Sequence, residues 1–354
     1  MVLVLALTYL GACAAFAVDG REPATVAPLA AATTEYTPPK IQLRYRGVNL
    51  SGGEFGSKHP GTFGVDYTYP KNADVDYFAN AGMNLVRLPF MWERLQRAQF
   101  AELSGADWTK IADLIAYSSS KGVTVVLEPH NSARYFGKLV GTQVPDTAFA
   151  NFWGQVASRV KGNPRVMINL MNEPHDLPTE QWVTSANAAI VAIRNAGFTG
   201  TILVPGNAWT GAWHWASTWY GTPNAVAMLK IADPGKNMAF EVHQYLDANA
   251  SGAGKECSSA TAGVDRLKGF VAWLRKNNRD GFLGEFGAPN TALCKQAVDG
   301  LVAYVEKNYD VFMGWAWWSA GPWWPADYQL SLNPVDGGPR PQMQWLLPAL
   351  PCAK

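Results

Sequence analysis

Two glutamates stand out as residues that can do chemistry, because each follows a short apolar run. Glu173 lies in an Asn-Glu-Pro sequence and Glu285 in a Gly-Glu-Phe-Gly sequence, and a predicted buried strand ends at each. The carboxyl ends of parallel strands are where barrel folds carry their active sites. Two carboxyl groups across a cleft can divide the work, since one donates a proton while the other attacks or stabilises a cation. The pair therefore indicates cleavage of a glycosidic bond.

Polar residues also end several other predicted strands. Any one of them alone would more often be a structural residue that pairs internally. Their coincidence favours a site, because polar groups are costly to bury unless they pair with each other or with a ligand. They are Arg87 in the second strand region, His130 and Asn131 after the third, Asn172 after the fourth, His243 and Tyr245 after the sixth, and Trp318 in the eighth.

The elements that must position these residues alternate along the chain. Short apolar runs and longer amphipathic stretches follow one another from about residue 44, which predicts a single-domain α/β fold, a (β/α)8 TIM barrel. The predicted strands are 46–50, 85–90, 124–130, 166–172, 201–206, 238–245, 281–285 and 311–319. The predicted helices are 74–81, 108–120, 149–160, 179–196, 261–276, 292–308 and one near 341–350.

The composition describes a globular chain with few charges. Hydrophobic residues make up 48% of the 354 residues and charged residues 16%, with a net charge of +1. No basic stripe is present, which argues against nucleic acid as a partner. Tryptophan occurs 15 times, often beside Gly, Pro or Asn in predicted loops. These rings either fill the core or stack on sugar faces.

The N-terminus is typical of an export signal. Residues 2–17 are apolar but too few to span a bilayer, and a Leu-Gly-Ala-Cys sequence ending at Cys13 is similar to a bacterial lipoprotein cleavage box. An ordinary signal peptide is the alternative. We expect a signal over 1–18, a flexible leader over 19–43 and a catalytic domain over 44–354, in a secreted protein. A membrane partner is expected only through a lipid on Cys13.

Export makes disulfide bonds possible. Cys257 and Cys294 are candidates for a bridge, which would leave Cys352 unpaired near the C-terminus. The sequence alone leaves other pairings open.

The chain resembles glycoside hydrolase family 5, and within it the bacterial and fungal endo-β-1,4-glucanases, or cellulases. The matching stretches, in order, are RGVNLSGGEFG, GMNLVRLPFMWERL, EPHNSARY, NLMNEPHD, GNAWTGAW, EVHQYLD, LGEFG and WWSAGPWW. They run from about residue 46 to the last predicted helix, nearly the whole mature chain. The resemblance implies a (β/α)8 barrel, a retaining double displacement and a β-glucan polysaccharide as the substrate.

The resemblance also implies roles for individual residues. Glu173 matches the general acid/base and Glu285 the nucleophile. Asn172 matches the residue that binds the sugar 2-hydroxyl, and His130 and His243 match two histidines that shape the subsite at the bond being cut. Trp318 matches the aromatic platform beneath that sugar, and Trp209, Trp213 and Trp323 resemble further platforms, although a loop tryptophan can also simply cover a core edge.

Electrostatics gives the two glutamates different requirements. Glu285 must be ionised to attack, and Arg87 beside it would keep it so, with Tyr245 as a further hydrogen-bond donor. Glu173 must first be protonated, so we expect its surroundings to raise its pKa. A third acidic residue, Glu54, either contacts sugar hydroxyls or forms a structural salt bridge.

The sequence lacks the motifs of several other enzyme classes. The five histidines form no His-x-His or His-Glu-x-x-His sequence, so neither a metal site nor a cofactor is expected. No Gly-x-Ser-x-Gly elbow supports a serine hydrolase. The alternatives left open are the same fold and mechanism acting on β-mannan or mixed-linkage glucan, and a non-catalytic glycan-binding barrel. No protein partner is implied.

Overall fold

Eight parallel strands close into a barrel in the computed structural model, which describes residues 42–351. Each strand pairs with its neighbours in chain order, and β1 pairs with both β2 and β8, which closes the sheet. The strands are β1 (Tyr45–Leu50), β2 (Leu85–Phe90), β3 (Thr124–Pro129), β4 (Val166–Asn169), β5 (Ile202–Pro205), β6 (Met238–His243), β7 (Gly281–Phe286) and β8 (Phe312–Ala320). The predicted (β/α)8 barrel is confirmed.

Helices cover the outside of the barrel. Within residues 42–351 they are α1 (Asn72–Asn80), α2 (Trp92–Leu95), α3 (Gly105–Ser120), α4 (Asp146–Val160), α5 (Thr179–Asn195), α6 (Asn224–Ala227), α7 (Ala262–Lys276), α8 (Ala292–Lys307) and α9 (Pro341–Leu346). A two-stranded hairpin, Arg134–Tyr135 with Lys138–Leu139, lies between β3 and α4. No helix in this part of the chain is long and apolar enough to cross a membrane.

The barrel interior is layered, because alternate residues of a strand point to the same face. An apolar layer includes Leu85, Val126, Met167, Ala239 and Phe282. Two residues further along the same strands stand Arg87, Glu128, Asn169, Glu241 and Gly284. The two-residue period thus changes the interior from apolar to charged as the strands approach their carboxyl ends, which is where the site is built.

Several tryptophans belong to the core and not to the cleft. The fully buried rings are Trp92, Trp153, Trp182, Trp215, Trp315 and Trp317. Trp153 and Trp182 lie on α4 and α5 and donate their indole N–H to the backbone oxygens of Leu170 and Pro205, at 3.1 and 2.7 Å. They therefore lock two helices onto the strands while satisfying their only polar atom.

The predicted strands are confirmed, with differences at their carboxyl ends. β4 ends at Asn169, three residues earlier than predicted, and β6 ends at His243, two residues earlier. There the backbone leaves the sheet, which frees the following residues to turn towards the barrel mouth.

The predicted disulfide bond between Cys257 and Cys294 is confirmed, with Cα atoms 5.2 Å apart. It joins the loop after β6 to the first turn of α8. Cys13, Cys352, and the predicted signal and most of the leader lie outside the described residues.

Candidate active site

The two predicted catalytic glutamates meet at the mouth of the barrel. Glu285 lies in β7 and Glu173 in the loop after β4. One carboxylate oxygen of each and a ring nitrogen of His243 all lie within 4.8 Å of one another. His243 Nδ1 is 2.7 Å from Oε1 of Glu173 and 3.5 Å from Oε2 of Glu285. The structure therefore brings the pair together around one imidazole.

Hydrogen-bond donors hold both oxygens of Glu285. Arg87 Nη1 donates to Oε1 at 2.9 Å, and the hydroxyl of Tyr245 donates to Oε2 at 2.6 Å. Burial raises the pKa of Glu285, and the positive charges of His243 and Arg87 offset only part of that rise. The predicted contacts of Arg87 and Tyr245 with this carboxylate are confirmed, and they fix its position and favour its charged form.

Arg87 is the centre of a buried charge cluster. Besides Glu285, its guanidinium lies 3.2 Å from Glu128 and 3.1 Å from Glu241, and it donates to Oδ1 of Asn49 at 2.8 Å. Burial disfavours the charge of Arg87, but the carboxylates of Glu128 and Glu241 outweigh it and raise the pKa of the guanidinium. A buried cation of this kind is stable only with such partners.

Glu128 and Glu241 are absent from the sequence-based site, although a signal for them exists. Each stands two residues before a strand-end histidine, in Glu-Pro-His and Glu-Val-His, so the glutamate and the histidine share the inner face of a strand. His130 Nδ1 lies 3.1 Å from Glu128, and His243 Nε2 lies 3.3 Å from Glu241. A buried glutamate thus contacts the histidine two residues after it at the ends of both β3 and β6.

Asn172 connects the cluster to His130. Its Oδ1 accepts from Arg87 Nη2 at 3.0 Å, and its Nδ2 lies 3.2 Å from His130 Nε2. Burial lowers the pKa of His130, but the charge of Glu128 outweighs it and raises the pKa to about 9. The Asn172 amide opposes a positive charge on His130. Because Oδ1 of Asn172 accepts from Arg87, the atom of Asn172 that faces His130 is the donor Nδ2, and Nε2 of His130 must accept from it. These contacts fit a neutral ring that carries its proton on Nδ1.

The expectation that its surroundings raise the pKa of Glu173 is wrong. Burial does raise it, but the hydrogen bond and the charge of His243 outweigh burial and lower the pKa. The sequence does not reveal this effect, because His243 lies 70 residues from Glu173 along the chain. The acid form of Glu173 therefore has to be reached against His243, which favours acidic working conditions.

Aromatic rings line one side of the pair. Trp318 stacks on His130 with ring centroids 5.3 Å apart, and its indole N–H donates to Tyr328 at 3.1 Å. Trp324, which the sequence analysis did not single out, stacks on Tyr328 at 3.9 Å. This face offers flat rings for a sugar. Trp323, the neighbouring predicted platform, is 48% exposed.

A cavity of about 420 Å³ opens on the Glu173 side. It is lined by Glu173, Trp209, Gly211, Trp213, His214, Trp219, His243, Tyr245, Asn249, Ala250 and Ser251. The predicted platforms Trp209 and Trp213 both face this cavity, together with Trp219, which the sequence analysis did not name. Aromatic rings therefore occur on both sides of the carboxylate pair.

The Trp209 platform sits on an unusual turn that is tied to the Glu173 loop. Ala208, Trp209 and Thr210 all have left-handed backbones, with φ of 55°, 55° and 50°. The Trp209 amide donates to the oxygen of Pro174 at 3.0 Å, and its ring stacks on His175 at 4.7 Å. Left-handed residues other than glycine persist only where their surroundings impose them, so these contacts hold Trp209 in place beside Glu173.

Two predicted residues do not join the cluster. Asn131 turns away, because its Oδ1 accepts from the Trp92 amide at 2.8 Å and its Nδ2 donates to Glu93 at 2.7 Å. Glu54 accepts from the Gly52 amide at 2.7 Å, and burial raises its pKa. No ion pair of Glu54 shorter than 4 Å occurs within residues 42–351, although the charge of His130 opposes the rise in the pKa of Glu54. The side chain of Asn131 instead holds the start of α2, at Trp92 and Glu93.

Known proteins share this architecture. The family model described as cellulase (glycosyl hydrolase family 5) matches residues 44–321. Endoglucanase 3 of Humicola insolens is 36% identical over 304 residues, which is 85% of this chain and 76% of that protein. A solved endo-beta-1,4-glucanase from Xanthomonas axonopodis pv. citri is 46% identical, with a TM-score of 0.85 over 86% of this chain and 98% of that one. XacCel5A, solved in complex with cellopentaose, is 45% identical, with a TM-score of 0.85 over 86% and 99%.

Proposed function

The chain belongs to glycosyl hydrolase family 5, and from this premise we propose that it cleaves internal β-1,4-glucosidic bonds of cellulose-type glucan with retention of configuration. It is a glycoside hydrolase of the endoglucanase class, as its relatives are. The retaining route and the roles of individual residues are what we add.

One observation carries the retaining route. One carboxylate oxygen of Glu173 and one of Glu285 lie within 4.8 Å of each other. Retaining enzymes hold their carboxyl groups about 5–5.5 Å apart, whereas inverting enzymes need about 6.5–9.5 Å to fit a water molecule. The short separation of these oxygens supports the retaining arrangement.

In the first half of the reaction, Glu285 attacks the anomeric carbon. A bond forms between its oxygen and that carbon, while the bond to the leaving glycosidic oxygen breaks. Glu173 gives its proton to that oxygen, so that the departing chain leaves as an alcohol. Arg87 and Tyr245 hold the nucleophile, and Asn172 would bind the sugar 2-hydroxyl, as the resemblance to the family implies.

In the second half, water replaces the departed chain. Glu173, now a carboxylate, takes a proton from the water as it attacks the anomeric carbon. The bond to Glu285 breaks, and its carboxylate returns to Arg87 and Tyr245. Two inversions at the same carbon give net retention.

The aromatic rings on both sides of the pair support attack inside a chain. Trp318 and Trp324 lie on one side, and Trp209 and Trp213 on the other. Sugars can therefore stack beyond the cleaved bond in both directions, which suits a polymer better than a terminal disaccharide. The complex of XacCel5A with cellopentaose supports a glucan chain as the ligand here as well.

We also propose that the catalytic domain spans residues 44–354 and that the protein is exported. The disulfide bond between Cys257 and Cys294 supports an oxidising destination.

The deciding experiment compares viscosity with reducing ends. The enzyme should lower the viscosity of carboxymethyl cellulose long before many reducing ends appear, and ¹H NMR should show the β-anomer as the first product. β-Mannan, run in parallel, should be cleaved far more slowly. Release of terminal units without a fall in viscosity would contradict internal attack, and a first product of α configuration would contradict retention.

Two variants separate the enzyme from a glycan-binding barrel. Glu173→Gln and Glu285→Gln should lose hydrolysis while still binding cello-oligosaccharides, measured by calorimetry. A native protein that binds cello-oligosaccharides without hydrolysing them, with unchanged binding in both variants, would favour the binding alternative.

A further inference from the structure

Two Glu-x-His pairs stand inside the barrel, and only one of the two histidines touches the catalytic carboxylates. Glu128 and His130 belong to β3 and its end, and Glu241 and His243 belong to β6. Both glutamates are fully buried, and both contact Arg87. Neither takes part in a step of the proposed reaction, and besides neutralising Arg87 each of them contacts one of the histidines.

His243 has a carboxylate on each ring nitrogen. Nδ1 lies 2.7 Å from Glu173 and 3.5 Å from Glu285, and Nε2 lies 3.3 Å from Oε1 of Glu241. Arg87 Nη2 also lies 3.5 Å from Nε2, at the limit of a hydrogen bond. Since carboxylates only accept, the nearer partners favour a ring that is protonated on both nitrogens.

His130 makes the opposite arrangement from the same motif. Its Nδ1 faces Glu128, but its Nε2 faces the donating amide of Asn172. One nitrogen donates and the other accepts, which describes a neutral ring. The partner on the other ring nitrogen therefore decides the effect of the buried glutamate. With the Asn172 amide opposite, Glu128 sets the tautomer of His130. With the catalytic carboxylates opposite, Glu241 supports a positive charge on His243.

We propose that Glu241 is a positioning residue that keeps His243 protonated on both ring nitrogens, so that its Nδ1–H serves whichever catalytic carboxylate carries the negative charge. The proposal deepens the function proposed above and rests on it for the order of the charges. Before attack the negative charge is on Glu285. Once Glu285 is bonded to the sugar and Glu173 has given up its proton, the charge is on Glu173, next to the same nitrogen.

A ring without Glu241 would serve this purpose poorly. A neutral ring protonated only on Nε2 would offer Glu173 and Glu285 no proton at all. A neutral ring protonated only on Nδ1 would donate a hydrogen bond without the positive charge that balances the moving negative one. The buried carboxylate of Glu241 disfavours both forms, because either would leave it with one cation fewer.

Gly284 provides independent support for this role. A side-chain carbon at position 284 would collide with Oε1 of Glu241. The glycine directly before the nucleophile therefore supplies the space in which the Glu241 carboxylate lies, on the strand next to its own. The Gly-Glu sequence on β7 thus has two roles. Glu285 provides the carboxylate beside the sugar site, and Gly284 leaves the space for the Glu241 carboxylate next to His243.

The charges around His243 agree with the geometry. Burial opposes the charge of the ring, but Glu285 and Glu241 outweigh it and raise its pKa to about 10. The charged groups that face the ring are Arg87 from β2, Glu173 from the loop after β4, Glu241 from β6 and Glu285 from β7, with Glu128 and His130 beyond Arg87.

The first test measures the protonation of His243 in the native chain, and a variant is needed only to assign the His243 signals. The full chain, with ¹⁵N-labelled histidine, is titrated from pH 5 to pH 9 by NMR, and the His243 signals are identified from the spectrum of His243→Asn. We expect both ring nitrogens to remain protonated through pH 8. A ring that is neutral at pH 7 would overturn the proposal and leave the proposed hydrolysis intact, because the titration is measured without substrate.

The second test compares Glu241→Gln with Glu128→Gln, which remove the same charge from the same buried cluster around Arg87. Glu241→Gln should lower the pKa of His243 by at least one unit, and Glu128→Gln should lower it less. The kcat of Glu241→Gln, relative to the native enzyme, should fall further as pH rises from 7 to 9, across the lowered pKa of His243, with little change in KM. For Glu128→Gln the ratio should stay flat. Identical pH profiles of the two variants would overturn the proposal, and thermal unfolding of each identifies any loss of fold.

Discussion

Glu285 and Glu173 are the same residue type, but the protein holds them in different ways. Glu285 lies inside β7 with its side chain 4% exposed and a donor on each oxygen. Glu173 lies in a loop with its side chain 24% exposed and one short contact, to His243. Its backbone is left-handed, with φ of 40°.

The difference matches the two proposed tasks. A nucleophile must meet one carbon from one direction, so a rigid position shortens the search for that geometry. A group that first protonates a leaving oxygen and later activates water must be open to the cleft, where both arrive. The left-handed backbone at Glu173 turns the residue out of line with β4, and such a conformation is maintained only by its surroundings.

The largest expected effect comes from replacing each of the two catalytic carboxylates. Glu285→Gln should lower kcat/KM by at least about 10⁴-fold on every substrate, because no other group can attack. Glu173→Gln should cost about 10²- to 10⁴-fold on cello-oligosaccharides and much less on a dinitrophenyl cellobioside, whose leaving group needs no proton. Initial rates on both substrates measure this. An equal loss on the two substrates in both variants would mean that the roles are not divided.

The next effect concerns the cation that holds Glu285. Arg87→Lys keeps the charge but loses the fork that reaches Glu285, Glu128 and Asn49 together. We expect kcat to fall on the order of 10²-fold and the free energy of unfolding to fall by about 2–3 kcal/mol. Arg46→Lys is the matched control, since Arg46 bonds Glu306 near the start of β1. If both variants lost kcat equally, Arg87 would have only a structural role.

A smaller effect should appear in the pH profile. The Tyr245 hydroxyl donates to the Glu285 carboxylate and so favours its charged form. Tyr245→Phe should therefore raise the pKa of Glu285 and move the acid limb of kcat/KM to higher pH by about one unit. Tyr220→Phe, which removes a hydroxyl bonded to Asp176 outside the cluster, is the control. An acid limb that stays in place in Tyr245→Phe would mean that this bond does not set the charge of Glu285.

The smallest expected effect concerns substrate stacking in the cavity next to Glu173. Trp213 is 48% exposed in the cavity beyond Glu173. Trp213→Ala should raise KM for cellopentaose about two- to tenfold, as expected for the loss of one stacking ring, and have less effect on an aryl cellobioside. Tyr309→Ala, an exposed ring before β8, is the control. A greater effect on the aryl substrate would place Trp213 on the other side of the cleaved bond.

Much of the fold and part of the site could be predicted from the sequence. The eight strands are short apolar runs between amphipathic helices, and that pattern depends only on local burial. The strand-end motifs identified Arg87, Tyr245 and His243, because polar residues at the end of a buried strand demand a reason. The structure places all three in contact with a catalytic glutamate.

What escaped prediction depends on which side chains meet across the barrel. Glu128 and Glu241 were overlooked because each stands within an apolar run, where a charge is tolerated only if a partner on another strand neutralises it. Asn131 was grouped with the site because it follows His130, but it points the other way, towards α2. The lowered pKa of Glu173 depends on a contact with a histidine 70 residues away.

The disulfide bond has a consequence for how the enzyme can be produced. It closes the segment from Cys257 to Cys294, a sequence separation of 37 residues, which includes Glu285 itself. Closing a loop of this length stabilises a folded chain by roughly 4 kcal/mol in the chain-entropy model. Expression in a reducing cytoplasm would give up that stabilisation, so folding yield should rise when the chain is directed to the periplasm or secreted.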